Sequence, residues 1–523
     1  MADQEVVRPS AITALKADLI EAVTNAYMVK RIPELTGLKY DDGECRDGEF
    51  RYKSPSSDNA LGFSLESDVG YYCSYPGGVW KEDVTFAPDS ETSPDEVTHG
   101  KGDLFDAKAT YEMIEQEVSA WIDPWGECHS PNEFTNQITS LANVAAQLYV
   151  GNEIVFGGQD VAPVAGDGSS VTSAVSDVRS AIDEVKLNTD DMRGLTIDAF
   201  QRTYVMDIER TIGGQRGLAT AAGLAVTAEA TAWNETYISA RDFVTKAIHD
   251  FNDLAGSHGA EGKSPEAVLG AVSAIAGLAG ATAGVAFPPF GVAMGVVGGA
   301  ATVAALMFPA TEMVEPAPLA LGPGSYMDYW NSFKEGFKEI AKALREAELG
   351  IAEGCRRMLA DYHAYPDNYS IGKGSSSGQQ GPQDDAAPFL QSQVDFNHTK
   401  MKLIAGAIES IGDHQRALAG RLGGVDGAGN PSALVQSEWS RPSLPEVGVM
   451  GYGSSGPYGS FAQVVDELTD LLLAEAKTAH RFAEHCIDVS LDFRATDDER
   501  ETALDSIARQ FDTVPIPVVN QDG

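Results

Sequence analysis

The sequence predicts a mainly α-helical protein, an elongated bundle of helices and helical hairpins with a central apolar Gly/Ala-rich helical hairpin and a small β-containing N-terminal insertion. Three observations carry that prediction. From Ser169 onward, apolar residues recur at i, i+3 and i+4, the spacing of one buried helix face. Between Glu266 and Glu312 lie 45 residues without a formal charge, in a chain whose net charge is -40. From Leu38 to Asp103, by contrast, glycine, proline and aromatic residues dominate.

The elements follow in order. Ala11–Lys30 reads as a helix. Phe50-Arg-Tyr-Lys53 and Val69–Tyr75 are strand-like, and Tyr75-Pro-Gly-Gly-Val-Trp80 supplies hairpin turn residues. A helix over Leu104–Trp121 closes a first segment, 1–130. Segment 131–257 reads as a helical hairpin. Val171, Ala174, Val175, Val178, Ile182 and Val185 form one stripe; Ile197, Phe200, Tyr204, Ile208 and Ile212 form the next. The latter continues through Val226, Trp233, Tyr237, Val244, Ile248 and Phe251, weakened only near Gly213-Gly214. Segment 258–312 is the apolar hairpin. After a Pro-rich joint at Glu315–Pro318, segment 313–374 carries a helix marked by Tyr326, Trp330, Phe333, Phe337, Ile340 and Leu344. Residues 375–388 are a Ser/Gly/Gln-rich linker. Segment 389–523 holds a helix to Leu422, a Gly/Pro/Ser-rich loop over Gly423–Gly459, and a last long helix striped from Phe461 to Phe493. Such stripes are packing surfaces of helix bundles.

The apolar segment breaks at Phe287-Pro288-Pro289-Phe290-Gly291, because proline removes a backbone donor and restricts the residue before it. Two arms result, Ala267–Phe287 and Phe290–Phe308, each near the ~20 residues that span a bilayer as a helix. Gly280 and Gly284 in one arm, and Gly291 and Gly295 in the other, have the spacing that lets helices touch closely.

Composition narrows the function classes. With 77 acidic against 37 basic residues, the chain has the wrong sign for nucleic acid. The charge suits solubility, in a salty or cell-surface setting, and a halophilic origin would explain it equally. The N-terminus lacks a basic stretch followed by an apolar run, so no Sec-type signal is expected. Five scattered cysteines without a C-x-x-C argue against zinc; Cys45 and Cys73 share one aromatic region, where an oxidising compartment would allow them to pair. Gly256–Ser264 ends in Gly262-Lys263-Ser264 but has Ser257 where a Walker A loop needs glycine. His480 and His485 point ~140° apart on a helix and do not converge. The acidic run Asp41–Glu49 lacks EF-hand spacing. With no Gly-x-Ser-x-Gly or His-Glu-x-x-His, the chain is expected to be no enzyme and to need no cofactor or metal.

Met192-Arg-Gly194, followed by Asp198-Ala-Phe200 between two amphipathic helices, resembles the turn of the WXG100 superfamily, the type VII (ESX) secretion substrates of actinobacteria; Met192 stands where the family has Trp. Trp233–Asp242 is similar to the second helix of long members, many of which continue into a Gly/Ala-rich apolar segment. Phe493-Arg-Ala-Thr-Asp497 resembles the family's Tyr-x-x-x-Asp/Glu secretion signal, with Phe replacing Tyr. The resemblance covers roughly residues 169–251 and 389–508. It implies a protein secreted or held at the cell surface without a Sec signal, with secretion machinery and other helical proteins as partners in a homo- or hetero-oligomer.

Three readings of function result. The first is a secreted helical protein of type VII character whose hairpin enters a membrane or an oligomer core. The second is a pore-forming helical toxin component. The third is a scaffold or adhesin in which the hairpin stays permanently buried.

Overall fold

The computed structural model describes residues 6–36, 39–40, 49–53, 60–66, 70–74, 107–150, 154–156, 159–161, 177–190, 192, 200–256, 267–268, 303, 307, 318–319, 325–371, 397–423 and 434–492. The fold is mainly α, as the periodicity predicts, with a small β insertion near the N-terminus.

The first expected helix is divided into α1 (Ser10–Thr13), α2 (Lys16–Ala26), a π turn at Tyr27–Arg31 and α3 (Ile32–Thr36). The insertion is an antiparallel meander of β1 (Lys39–Tyr40), β2 (Glu49–Lys53), β3 (Ala60–Glu66) and β4 (Gly70–Ser74), with Phe50 opposite Phe63 and Phe63 opposite Cys73. The expected strands are β2 and β4. The unexpected β3 alternates Leu61, Phe63 and Leu65 with small or polar residues, which is the period-two signal of a strand. Cys45 lies outside the described residues.

Next come α4 (Ala107–Gly126), a 3-10 turn at Pro131–Phe134, α5 (Thr135–Gln147), the ribbon β5 (Ile154–Phe156) with β6 (Gln159–Val161), and α6 (Asp177–Thr189). After a π turn at Gln201–Val205, α7 runs unbroken over Met206–Gly256. The weak point expected at Gly213-Gly214 is therefore a correction. Gly214 lies where the chain at Asn368 and Tyr369 crosses the helix, and a β-carbon there would collide with the Asn368 carbonyl oxygen.

α7 is the centre of the bundle. Every residue from Thr211 to Asn234 is buried, so this stretch is covered on all sides. Its small Ala and Gly residues let α2, α5, α8 (Tyr326–Ala364) and α10 (Tyr458–Asp492) pack around it. Its threonines carry their own solution to burial. Thr220, Thr227, Thr231 and Thr236 donate to carbonyls four residues back at 2.7–2.8 Å.

α8 starts at a capping box in which the Ser325 amide donates to Asp328 Oδ2 at 2.8 Å. It runs past Leu344, because Ala347, Ile351, Cys355 and Met358 prolong the buried stripe. An aromatic cluster of Phe243, Phe251, Trp330, Phe333 and Phe337 joins α7 to α8. Gly336 makes room for the Phe243 ring.

α9 (His398–Gly423) and α10 lie along each other. Gly412 brings α9 close to the Ala476 carbonyl of α10. α6 packs mainly on α9, and Lys186 reaches Glu209 of α7 at 2.7 Å. So α6 is covered chiefly by a helix from outside segment 131–257. One continuous hydrophobic core, from Val7 to Cys486, takes residues from every α-helix except α3.

The apolar hairpin begins differently from expectation. Ala267–Val268, expected to open a helical arm, form β7 and pair antiparallel with β8 (Pro318–Leu319), Ala267 opposite Leu319. Of the rest of the apolar segment only Val303 and Met307 are described. Both have helical backbone and both are buried in the core, and Arg357 Nη1 of α8 donates to the Met307 carbonyl at 3.1 Å. Gly280, Gly284, Phe287, Pro288, Pro289, Phe290, Gly291 and Gly295 lie outside the described residues. No helix among the described residues is long and apolar enough to cross a membrane.

Candidate functional site

The most concentrated chemistry is a buried ionic cluster that joins three elements. Glu229 comes from the all-buried part of α7, Glu348 from the apolar stripe of α8, and Arg441 from the segment between α9 and α10. That segment, a Gly/Pro/Ser-rich loop by sequence, is built. A 3-10 turn at Gln436–Trp439 leads into a two-stranded ribbon of β9 (Ser443–Leu444) and β10 (Gly448–Val449). Trp439 is fully buried, stacked on Phe461 and edge-on to Phe134, and its indole N–H donates to Gln137 at 3.2 Å. Lys338 of α8 holds Glu446 at the ribbon's tip, 2.9 Å away.

Arg441 occupies the middle. Its guanidinium pairs with Glu229, lies 2.6 Å from Glu348 through Nη2 and 2.7 Å through Nε, and donates from Nη1 to the carbonyls of Trp439 and Ser440. It sits over the Trp233 ring, 4.4 Å from the centroid. Glu229 Oε1 also accepts from Trp233 Nε1 at 3.0 Å, whereas its Oε2 has no hydrogen-bond partner. Glu348 Oε2 accepts from the Tyr452 amide. Gly451 (φ 73°) and Gly456 (φ 53°) are needed twice over. Each has a left-handed backbone, and a side chain would strike Glu348 or Arg441. Burial pushes the Glu229 carboxyl up to about 8 and raises Glu348 too, against the attraction of Arg441.

Beside the cluster, at the surface, His129 Nδ1 meets Glu133 Oε2 at 2.7 Å, and Ser440 Oγ lies 3.3 Å from His129 Nε2. The connectivity is that of a nucleophile, a base and an orienting acid. The chemistry is weak, however. The Ser440 hydroxyl has one hydrogen, and the Ser437 carbonyl takes it at the shorter distance of 2.9 Å. Ser440 is also exposed, with no enclosure to exclude water. Of the cysteines whose side chains are described, none offers a nucleophile either, since burial pushes Cys128, Cys355 and Cys486 each up to about 12. Among the described residues no group of His, Cys, Asp and Glu could hold a metal ion.

A second buried acid, Glu475 of α10, accepts from the Ser370 hydroxyl at 2.6 Å and the Ile371 amide at 3.4 Å. Burial raises it to about 7.

Of the residues the sequence singled out, Met192 is buried and its amide closes the end of α6 on the Thr189 carbonyl at 3.0 Å. Gly194, Phe493 and Asp497 lie outside the described residues. His480, which does not converge with His485 by helical spacing, is 3.1 Å from Asp413 across α9 and α10. The ionic cluster was missed, yet two of its members left a trace. Glu229 is the only charge between Arg216 and Glu235, and Glu348 stands four residues after Leu344 on an apolar stripe. Arg441 left none. No protein-family profile matches the chain, and no characterised protein or solved structure aligns with it significantly.

Proposed function

We propose that the protein acts by insertion rather than by catalysis: a water-soluble helical bundle carries the charge-free residues 267–311 as a stored apolar hairpin and delivers them to a lipid bilayer. The observation that carries this reading is the anchoring of the segment. Its base is a β7–β8 clasp that sets residue 267 opposite residue 319. Val303 and Met307, from the second arm, lie in the common core, with Arg357 holding the Met307 carbonyl. Contiguous apolar surface beyond a few hundred Å² does not stay in water unassisted, so storage against the bundle is what a soluble carrier requires. The tip at Pro288-Pro289, lacking backbone donors, would lead insertion.

The test is dye release from liposomes. Wild-type protein should bind and permeabilise them, and Ala276→Asp should block this, because an acid at a bilayer centre costs ~2.5–3.5 kcal/mol on insertion scales. Phe290→Lys at the tip should spare the fold and slow insertion. Wild-type protein inert over a wide range of pH and lipid composition would leave the permanently buried hairpin of a scaffold, the reading that the burial of Val303 and Met307 also favours.

Export through type VII-like machinery, with helical partners, rests on the sequence resemblance at Met192–Phe200, Trp233–Asp242, Phe493 and Asp497. The double variant Phe493→Ala, Asp497→Ala should abolish secretion while leaving circular dichroism and melting unchanged. Normal export of that variant would remove the type VII reading.

A further inference from the structure

We propose that Glu229 and Glu348 hold one proton between them beside Arg441, making residues 434–457 a strap across α7 and α8 that tightens when the proton is bound and loosens when it leaves. The argument begins with a count of charges. Two carboxyls and one guanidinium share a site where the side chain of Arg441 is 1% exposed and those of both glutamates are 0% exposed. With both acids ionised the site carries an uncompensated negative charge out of reach of water. The groups that face it supply no second cation: they are the Trp233 indole, the Tyr452 amide, the carbonyls of Trp439 and Ser440, and, next to Arg441, the Tyr237 hydroxyl. Tyr237 in turn faces Cys128, and both stay neutral, the thiol pushed up to about 12 and the phenol well above its ordinary value by burial. An uncompensated buried charge is relieved most cheaply by taking a proton, and two carboxyls crowded at one site take one between them.

The hydrogen bonds say which oxygen receives it. Glu348 accepts from Arg441 Nε and from the Tyr452 amide, and it lies against Arg441 Nη2, a set of donors that favours its anion. Glu229 spends Oε1 on Trp233 and Arg441, and its fully buried Oε2 accepts nothing. A bare anionic oxygen is the costlier state there, so Oε2 is where the proton rests. The direction of the titration agrees: burial lifts Glu229 to about 8, and Glu348 upward as well. Folding therefore takes up a proton in the window from about 4.5, the ordinary value, to about 8. The stabilisation is complete below that window and is lost as pH rises through it. When the proton leaves, Glu229 of α7 and Glu348 of α8 repel each other, and the strap loosens because Arg441 and the Tyr452 amide can no longer hold both carboxylates at one place. The proposal stands whether or not the apolar hairpin enters a bilayer.

The experiment is urea unfolding of the full chain against pH, with Glu229→Gln as the decisive variant, because a glutamine amide copies the shape and neutrality of a protonated glutamate. Glu475 titrates with the same sign, so the comparison between the two proteins isolates Glu229. Within the window, the wild-type unfolding constant should rise more steeply than that of Glu229→Gln, by up to tenfold per pH unit. Amides of 434–457 should lose hydrogen-exchange protection with rising pH in the wild type and keep it in the variant. Parallel pH profiles, or a variant less stable than wild type on the acid side, would overturn the proposal. Should the variant fail to fold, infrared spectra of Glu475→Gln protein labelled at glutamate decide it: a protonated-carboxyl band present near neutral pH and lost on alkalinisation is expected, and its absence overturns the shared proton.

Discussion

Two glycines in this chain sit in helix interiors and should respond in opposite ways to the same change. A β-carbon at Gly214 would run into the Asn368 carbonyl oxygen, and backbone cannot step aside as a side chain can. Gly214→Ala should therefore cost ~1–3 kcal/mol as overpacking. Gly406 in α9 has nothing within 4 Å of that position, so Gly406→Ala should stabilise by ~0.5–1 kcal/mol through helix propensity and a less flexible unfolded chain. Chemical denaturation of the pair checks both signs at once. Arg441→Met should cost ~3–5 kcal/mol, since removing one partner strands the others as buried groups without a counter-charge. At this scale the sequence was half legible. A lone glutamate within an uncharged stretch of α7, or on the apolar stripe of α8, announces that burial must be compensated. Nothing in Pro442 or the surrounding Ser and Gly residues announces that Arg441 supplies the compensation, because that depends on where a loop returns.

Elements were easier to read than their surroundings. Stripes at helical spacing located α6, α8 and α10, with α8 running well past its expected end and α10 within a turn of both of its own. The alternation of Leu61, Phe63 and Leu65 would have given β3 as well. α7 misled for a physical reason. Its apolar residues suggest a face, whereas the Ala, Gly and Thr between them are buried too, the hydroxyls of Thr220, Thr227, Thr231 and Thr236 satisfied within the helix. Small residues do not register as a hydrophobic face, yet they are what allows neighbours on every side. The start of α8 shows the opposite case, where a local signal suffices. Its capping box of Ser325 and Asp328 is written in four consecutive residues. Ser325→Ala should cost ~1 kcal/mol and fray the first turn, read as lost amide protection at Asp328 and Tyr329.

At the scale of the whole molecule the charge sets the conditions under which everything else operates. A net charge of -40 on one chain is self-repulsive, and the repulsion is screened over about 10 Å at 0.1 M salt. The melting temperature should therefore climb with added sodium chloride. A flat response in calorimetry would mean that the acids are compensated locally, as Glu446 is by Lys338. The order in which segments pack was not legible at all. α6 rests mainly on α9, more than 200 residues later, rather than on the helix that follows it. Sequence periodicity reports that a face will be covered without reporting by what.

The β7–β8 clasp also makes the apolar stretch a detachable graft. Residues 268 and 318 already stand side by side, so the chain between them can be excised and the gap bridged by a two-residue turn such as Asn-Gly, which suits antiparallel strands. Excision forfeits the burial of Val303 and Met307, roughly 1.5–3 kcal/mol each. It recovers roughly 2–3 kcal/mol of closure entropy, because a short loop is cheaper to close than a long one. The net loss is roughly 0–4 kcal/mol, less than the roughly 5–15 kcal/mol stability of an ordinary fold, so the trimmed protein should remain folded, with circular dichroism per helical residue close to that of the parent. On the insertion proposed above, the excised stretch fused between the strands of an unrelated ribbon should make that ribbon bind liposomes, and a fusion that does not bind them counts against it.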